Sequence, residues 1–283
     1  MSSQQPDRFV KWNLLDFLLL FFLYNVLTFV CVVVTMACAV VIDSMADNRG
    51  HSPLVIKIEK DGGQPRLVHK IEKKETTAEH PLTQLIQQGR SNPAVLLIAL
   101  LVGVITTPIV EEFLFRLVLQ SSIINTDKYG GWYNSISAAL SIFITSLLFA
   151  ALHGLPPKEM TLEALQAMML GAMIGGVLFL IAGIAYLVVV RKTDARDLGW
   201  DDKHLLSDIE TAARWAVFVM PAVMLIHITA KALLPNAATD PIPLFFFSLV
   251  LGYLFYKTRR LAPPVFLHAF FNGFNLMILL VFG

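Results

Sequence analysis

The chain has 283 residues, of which 56% are hydrophobic and 15% charged, with a formal net charge of +1 and a mean hydropathy of +0.65. That composition excludes a soluble globular domain and the collagen-like, disulfide-scaffold and disordered classes, and the near-zero charge argues against a nucleic-acid partner. What remains is an all-α polytopic membrane protein whose constant partner is the lipid bilayer.

The first apolar stretch covers residues 14–42, with Arg8 and Lys11 before it. Its Ala37-Cys38-Ala39 triplet has the look of a signal-peptidase site, but a signal peptide has a much shorter apolar core, so the stretch is expected to be a retained first span. Cys31 and Cys38 lie in the same helix, about 10 Å apart along its axis, too far to pair, and are expected to be packing residues. Residues 43–93 turn polar and charged. Two β-prone runs, 55–59 and 67–72, flank an Asp61-Gly62-Gly63 turn signal, which predicts a small β-hairpin in an extramembrane linker.

Further apolar segments at 94–110, 113–124, 136–152, 164–190, 212–234, 242–256 and 264–282 bring the total to seven or eight transmembrane or re-entrant helices. The expected organisation is a tail and first helix over 1–42, the polar linker over 43–93, and a catalytic membrane domain over 94–283. The polar links at 126–131, 191–209 and 257–260 hold eight Lys and Arg between them, whereas 154–161 and 235–241 hold only Lys158. By the positive-inside rule the first three face the cytoplasm together with the N-terminus, and the basic residues of 43–93 pull the other way. Gly171 and Gly175 form a Gly-x-x-x-Gly pair, read as a close helix contact.

An ionisable side chain at bilayer depth costs about 2.5 to 3.5 kcal/mol on insertion scales, so such residues point to function or tight pairing. Here they form three groups: Glu111, Glu112 and Arg116; His153; and His268 with Asn272. Residues four apart share a helix face, whereas neighbours diverge by about 100°. Glu112 and Arg116 therefore read as an ion pair, which leaves Glu111 on another face as the working base. Phe149 and His153 share a face, and so do His268 and Asn272. A buried glutamate to activate water, one histidine beside it, and His268 with Asn272 to hold an oxyanion are the parts that peptide hydrolysis needs. His227 has no carboxylate or amide at helical spacing and reads as structural. His51, His69, His80 and His204 fall in polar links.

In order along the chain, Glu111-Glu112-Phe-Leu-Phe-Arg116, Phe149-Ala-Ala-Leu-His153 and His268-Ala-Phe-Phe-Asn272 resemble the motifs of the CPBP intramembrane proteases, the CAAX protease and bacteriocin-processing group. The resemblance covers roughly 93–153 and 240–280. It implies a polytopic helical fold with Glu111, His153, His268 and Asn272 catalytic and with Glu112, Arg116 and Phe149 in support. It also implies a peptide or membrane-protein substrate, prenylated CAAX proteins being one class, and residence in the cell inner membrane if the source is bacterial. No cofactor is expected; if the family's metalloprotease label applies, zinc is the metal and Glu111, His153 and His268 are the ligands. The chain departs from the family pattern in the long interval between His153 and His268, which holds two extra apolar segments and reads as an insert over about 160–240.

Signatures of serine, aspartyl and zincin mechanisms, such as His-Glu-x-x-His, are absent from the sequence. Two readings from other classes accommodate a buried polar cluster: a transporter whose charges line a path, and a non-catalytic scaffold that uses them for helix assembly.

Overall fold

The computed structural model describes residues 12–47, 59–61, 64–66, 93–124, 132–153, 162–194, 197–200, 202–235 and 239–282. Among them are seven helices long and apolar enough to cross a membrane, as expected of chains whose backbone polar groups must be satisfied within each span. In chain order they are α1 (Leu14–Asp47), α2 (Pro93–Ile124), α3 (Trp132–His153), α4 (Leu162–Val190), α5 (Leu205–Leu233), α6 (Pro241–Thr258) and α7 (Ala262–Phe282). The chain is an integral, multi-pass membrane protein. Large apolar side chains such as Leu15, Phe22, Phe29 and Phe218 are exposed on the outer faces, where lipid takes the place of a core.

The two apolar segments 94–110 and 113–124 are one helix, α2. The charges of Glu111 and Glu112 interrupt the hydropathy but not the backbone, because their side chains find partners inside the protein. This brings the count to seven. Helix α2 is not uniform: Leu101–Thr106 and Phe113–Gln120 are π-helical, with α-helical turns before, between and after them. A cause is visible at Pro108, which lacks an N–H and whose ring crowds the carbonyl four residues back. A widened turn ahead of it relieves that conflict.

Helix α1 packs along α4, α3 against α6, and α5 against α6 and α7. The Gly-x-x-x-Gly pair sets the first contact. A Cβ at Gly171 would lie 2.6 Å from the Val32 Cα, and one at Gly175 would lie 2.7 Å from the Thr28 Cα, so α1 and α4 touch backbone to backbone. The near end of α1 is pinned as well. Trp12 Nε1 donates to Leu117 O at 2.9 Å, and Asp16, 1% exposed, accepts from Tyr186 Oη and Arg191 Nη2, each at 2.6 Å.

A tight turn sets the start of α7. Arg259 ends α6 in the left-handed region at φ 53°, Leu261 N–H donates to Gly199 O at 3.0 Å, and Arg260 pairs with the buried Asp208 of α5 at 2.6 Å. Gly199 is required where it stands: its φ is +70°, and a Cβ there would lie 2.8 Å from Leu261 N.

In the polar linker, Glu59–Asp61 and Gln64–Arg66 pair antiparallel, with Glu59 opposite Arg66. The remainder of the hairpin expected between 55–59 and 67–72 lies outside the described residues.

Candidate active site

The three motifs converge at Glu111. The helix face that carries Glu112 continues through Arg116 to Gln120, at successive steps of four, and all three side chains are buried. Arg116 Nε donates to Glu112 Oε2 at 3.1 Å, with both side chains 0% exposed. The rest of the guanidinium is also satisfied: Nη1 donates to Thr145 Oγ1 at 3.3 Å, Nη2 to Ser248 Oγ at 2.5 Å, and the cation lies 5.8 Å from the Phe149 ring centroid. A buried arginine is tolerable only with its charge and donors matched in this way. Gln120 Nε2 donates to Gly252 O at 2.8 Å and ties α2 to α6 one turn further on.

The other oxygen of Glu112 reaches α7: His268 Nδ1 lies 3.0 Å from Glu112 Oε1. Because the carboxylate is already paired with Arg116, Nδ1 is the donor, and Nε2 is the nitrogen turned toward Glu111, 3.6 Å from its Oε2. His153 follows the same logic. Its Nδ1 is 2.7 Å from Phe149 O, which can only accept, and its Nε2 is 3.3 Å from Glu111 Oε1. Each carboxylate oxygen of Glu111 thus faces the Nε2 of one histidine whose Nδ1–H is spent elsewhere. The departure in motif spacing does not keep His153 from Glu111.

Exposure grades along this chain of groups. Glu112 and Arg116 are sealed, His268 is 5% exposed, Glu111 15%, and His153, the last residue of α3, 34%. Glu111 Oε2 is buried and makes no hydrogen bond. An unpartnered buried carboxylate oxygen is costly unless something else uses it. Phe149 sits at the hub, its ring centroid 4.4 Å from that of His153 and 5.8 Å from that of His268, and it is 1% exposed.

Asn272 shares the face of His268 but turns to a different partner: its Nδ2 donates to Gly103 O at 2.7 Å. His227 lies away from this cluster with Nδ1 3.8 Å from Asp240 Oδ1, a partner just before the next helix that helical spacing does not reveal. Thr145 and Ser248 were not singled out in the sequence. Thr145 had a signal, being four residues before Phe149 and eight before His153 on one face of α3; Ser248 is only a hydroxyl in an apolar run.

As a zinc set, Glu111, His153 and His268 fit poorly. Both imidazoles approach separate oxygens of one carboxylate at hydrogen-bond or near hydrogen-bond range rather than a common point beside it. Among the described residues no group of three or more His, Cys, Asp or Glu is arranged to hold a metal ion.

A family model described as Rce1-like, type II CAAX prenyl endopeptidase, matches residues 93–195 and 203–274. The match takes in all three motifs and most of the interval between His153 and His268. No curated protein and no solved structure matches the chain.

Proposed function

The chain belongs to the Rce1-like family of type II CAAX prenyl endopeptidases, within the CPBP intramembrane proteases, and from that premise we propose that it cleaves a peptide bond of a prenylated CAAX-type substrate with Glu111 as the base. The observation that carries this reading is the buried, unpartnered Oε2 of Glu111 beside the Nε2 of His268 at 3.6 Å. That separation is too long for a direct hydrogen bond, and a water placed to one side of the pair could reach both groups.

In the proposed reaction Glu111 takes a proton from that water as its oxygen attacks the scissile carbonyl carbon. The carbonyl oxygen becomes an oxyanion and accepts a hydrogen bond from Nε2–H of His268 in its doubly protonated, imidazolium form, which Glu112 holds in orientation by accepting Nδ1–H. Collapse breaks the C–N bond, and the proton on Glu111 passes to the leaving amine, leaving a new carboxylate and a new amine. His153, when protonated at both ring nitrogens, donates Nε2–H to the second oxygen of Glu111 and, being the most exposed member, links the site to bulk proton exchange. Phe149 and Arg116 keep the two histidines and Glu112 in register. No metal takes part in this scheme, and every step uses side chains of this chain and one water.

The test is cleavage of a farnesylated CAAX peptide and of the same peptide without its lipid, by the full-length protein in lipid nanodiscs, with products identified by mass. Release of the intact C-terminal tripeptide from the lipidated peptide alone supports the reading. Equal cleavage of both peptides contradicts the prenyl preference, and cleavage of neither contradicts the activity.

A further inference from the structure

We propose that Asn275 is a specificity-determining residue, which holds the C-terminal carboxylate of the substrate while the scissile bond lies at His268. The proposal deepens the proteolytic reading above and rests on it. Other amide side chains within the spans are satisfied by the protein: Asn25 Nδ2 donates to Phe21 O at 2.7 Å, Gln120 Nε2 to Gly252 O at 2.8 Å and Asn272 Nδ2 to Gly103 O at 2.7 Å. The side chain of Asn275 has no hydrogen-bond partner among the described residues, although it stands inside α7, and it is exposed. An amide that faces out of the protein at bilayer depth is costly unless water or a ligand meets it.

Its position points to the ligand. Asn275 follows His268 by seven residues, two helical turns with a drift of only about 20°. It therefore lies on the stripe of α7 that His268 turns toward Glu112 and Glu111. Along that stripe the surface opens, from 5% exposure at His268 to an exposed side chain at Asn275. In the other direction Leu261, Ala262, Val265 and Leu267 are buried, so a peptide bound beside His268 has its room on the Asn275 side. The helix rises about 10 Å between the two residues, and three residues of extended chain also span about 10 Å. A CAAX substrate cut after its cysteine has three residues beyond the scissile bond, which puts its α-carboxylate at Asn275. The side-chain NH2 supplies two donors, and the carboxylate accepts them.

The test compares two forms of one farnesylated CAAX peptide, the free acid and the C-terminal primary amide, as substrates of the full-length protein in lipid nanodiscs. Wild-type protein is expected to show a kcat/KM about 10-fold higher for the acid, the worth of one hydrogen bond to a charged group. Asn275→Ala should raise KM for the acid by about the same factor with kcat little changed, as loss of a binding contact does, and should leave the amide nearly unaffected. The acid-to-amide ratio then falls toward one, whereas a merely structural role for Asn275 would slow both peptides together. Equal cleavage of acid and amide by wild-type protein, or a ratio that Asn275→Ala leaves unchanged, overturns the proposal and leaves the proteolytic reading standing. Wild-type protein that cleaves neither peptide overturns that reading and the proposal with it. If Asn275→Ala does not fold, Asn275→Asp decides by the same ratio: a loss confined to the acid, which the new carboxylate repels, supports the proposal, and an unchanged ratio overturns it.

Discussion

His268 Nδ1 lies 3.0 Å from Glu112 Oε1, so the second glutamate of the pair, sealed from solvent and bound to Arg116, is also the residue that orients the histidine of the last motif. The two glutamates are neighbours in sequence with different tasks. Glu112 is structural on both of its oxygens, and Glu111 keeps one oxygen for a ligand.

Replacement of either partner of the Glu112–Arg116 pair should therefore be costly to folding. Arg116→Ala leaves Glu112 as an uncompensated buried charge, and a loss of about 3–5 kcal/mol is expected, read as a large drop in unfolding temperature in detergent. Arg116→Lys should recover little of it, since one ammonium cannot reach Glu112, Thr145 and Ser248 together in the geometry of the guanidinium.

His153→Gln separates chemistry from folding in another way. The side chain is 34% exposed, so unfolding should shift by less than about 0.5 kcal/mol. Activity should fall, by up to about 10²-fold as expected for a lost participant in proton transfer. Steady-state cleavage alongside a thermal melt checks both halves, and a variant that melts early instead would assign His153 to the scaffold.

The contact between α1 and α4 predicts a third effect, remote from the site. Gly171→Val places carbon where the Val32 backbone already lies, and overpacking of this kind costs about 1–3 kcal/mol. Reduced thermal stability with kcat per folded molecule unchanged is the expected result; Gly103, where a Cβ meets nothing within 4 Å, offers Gly103→Ala as a control with little steric cost.

Chelation bears on the donor geometry. Because His153 meets one oxygen of Glu111 and His268 faces the other, with no common point between them for a metal, cleavage should persist after dialysis against a strong zinc chelator such as 1,10-phenanthroline. Loss of activity that zinc restores would mean that the imidazoles turn to a metal in the working enzyme.

Much of this arrangement could be read from spacing. The i, i+4 rule pairs Glu112 with Arg116 and sends Glu111 to another face, and it places Phe149 with His153 and His268 with Asn272. What escaped it has physical reasons. Helical periodicity assumes a uniform α-helix, and the π turns of α2 break that assumption on either side of the short α-helical stretch that carries Glu111. Gly103 participates through its carbonyl, which every residue has, so its identity carries no sign of the role. The grip of Glu112 on His268 joins residues far apart in the chain, and nothing local to either motif reveals it. Hydropathy divided α2 at Glu111 and Glu112 because a sliding reading of side chains registers charge and not the partners that neutralise it.

The central claim is that Glu111 is the base, and single-turnover cleavage of the lipidated peptide by Glu111→Gln protein tests it most directly. Gln keeps the size of the side chain but cannot take a proton from water, so the rate should fall by about 10²- to 10⁴-fold while the unfolding temperature and peptide binding stay close to wild type. Cleavage by folded Glu111→Gln protein at a rate near wild type would contradict the account, since no other carboxylate among the described residues stands beside both histidines.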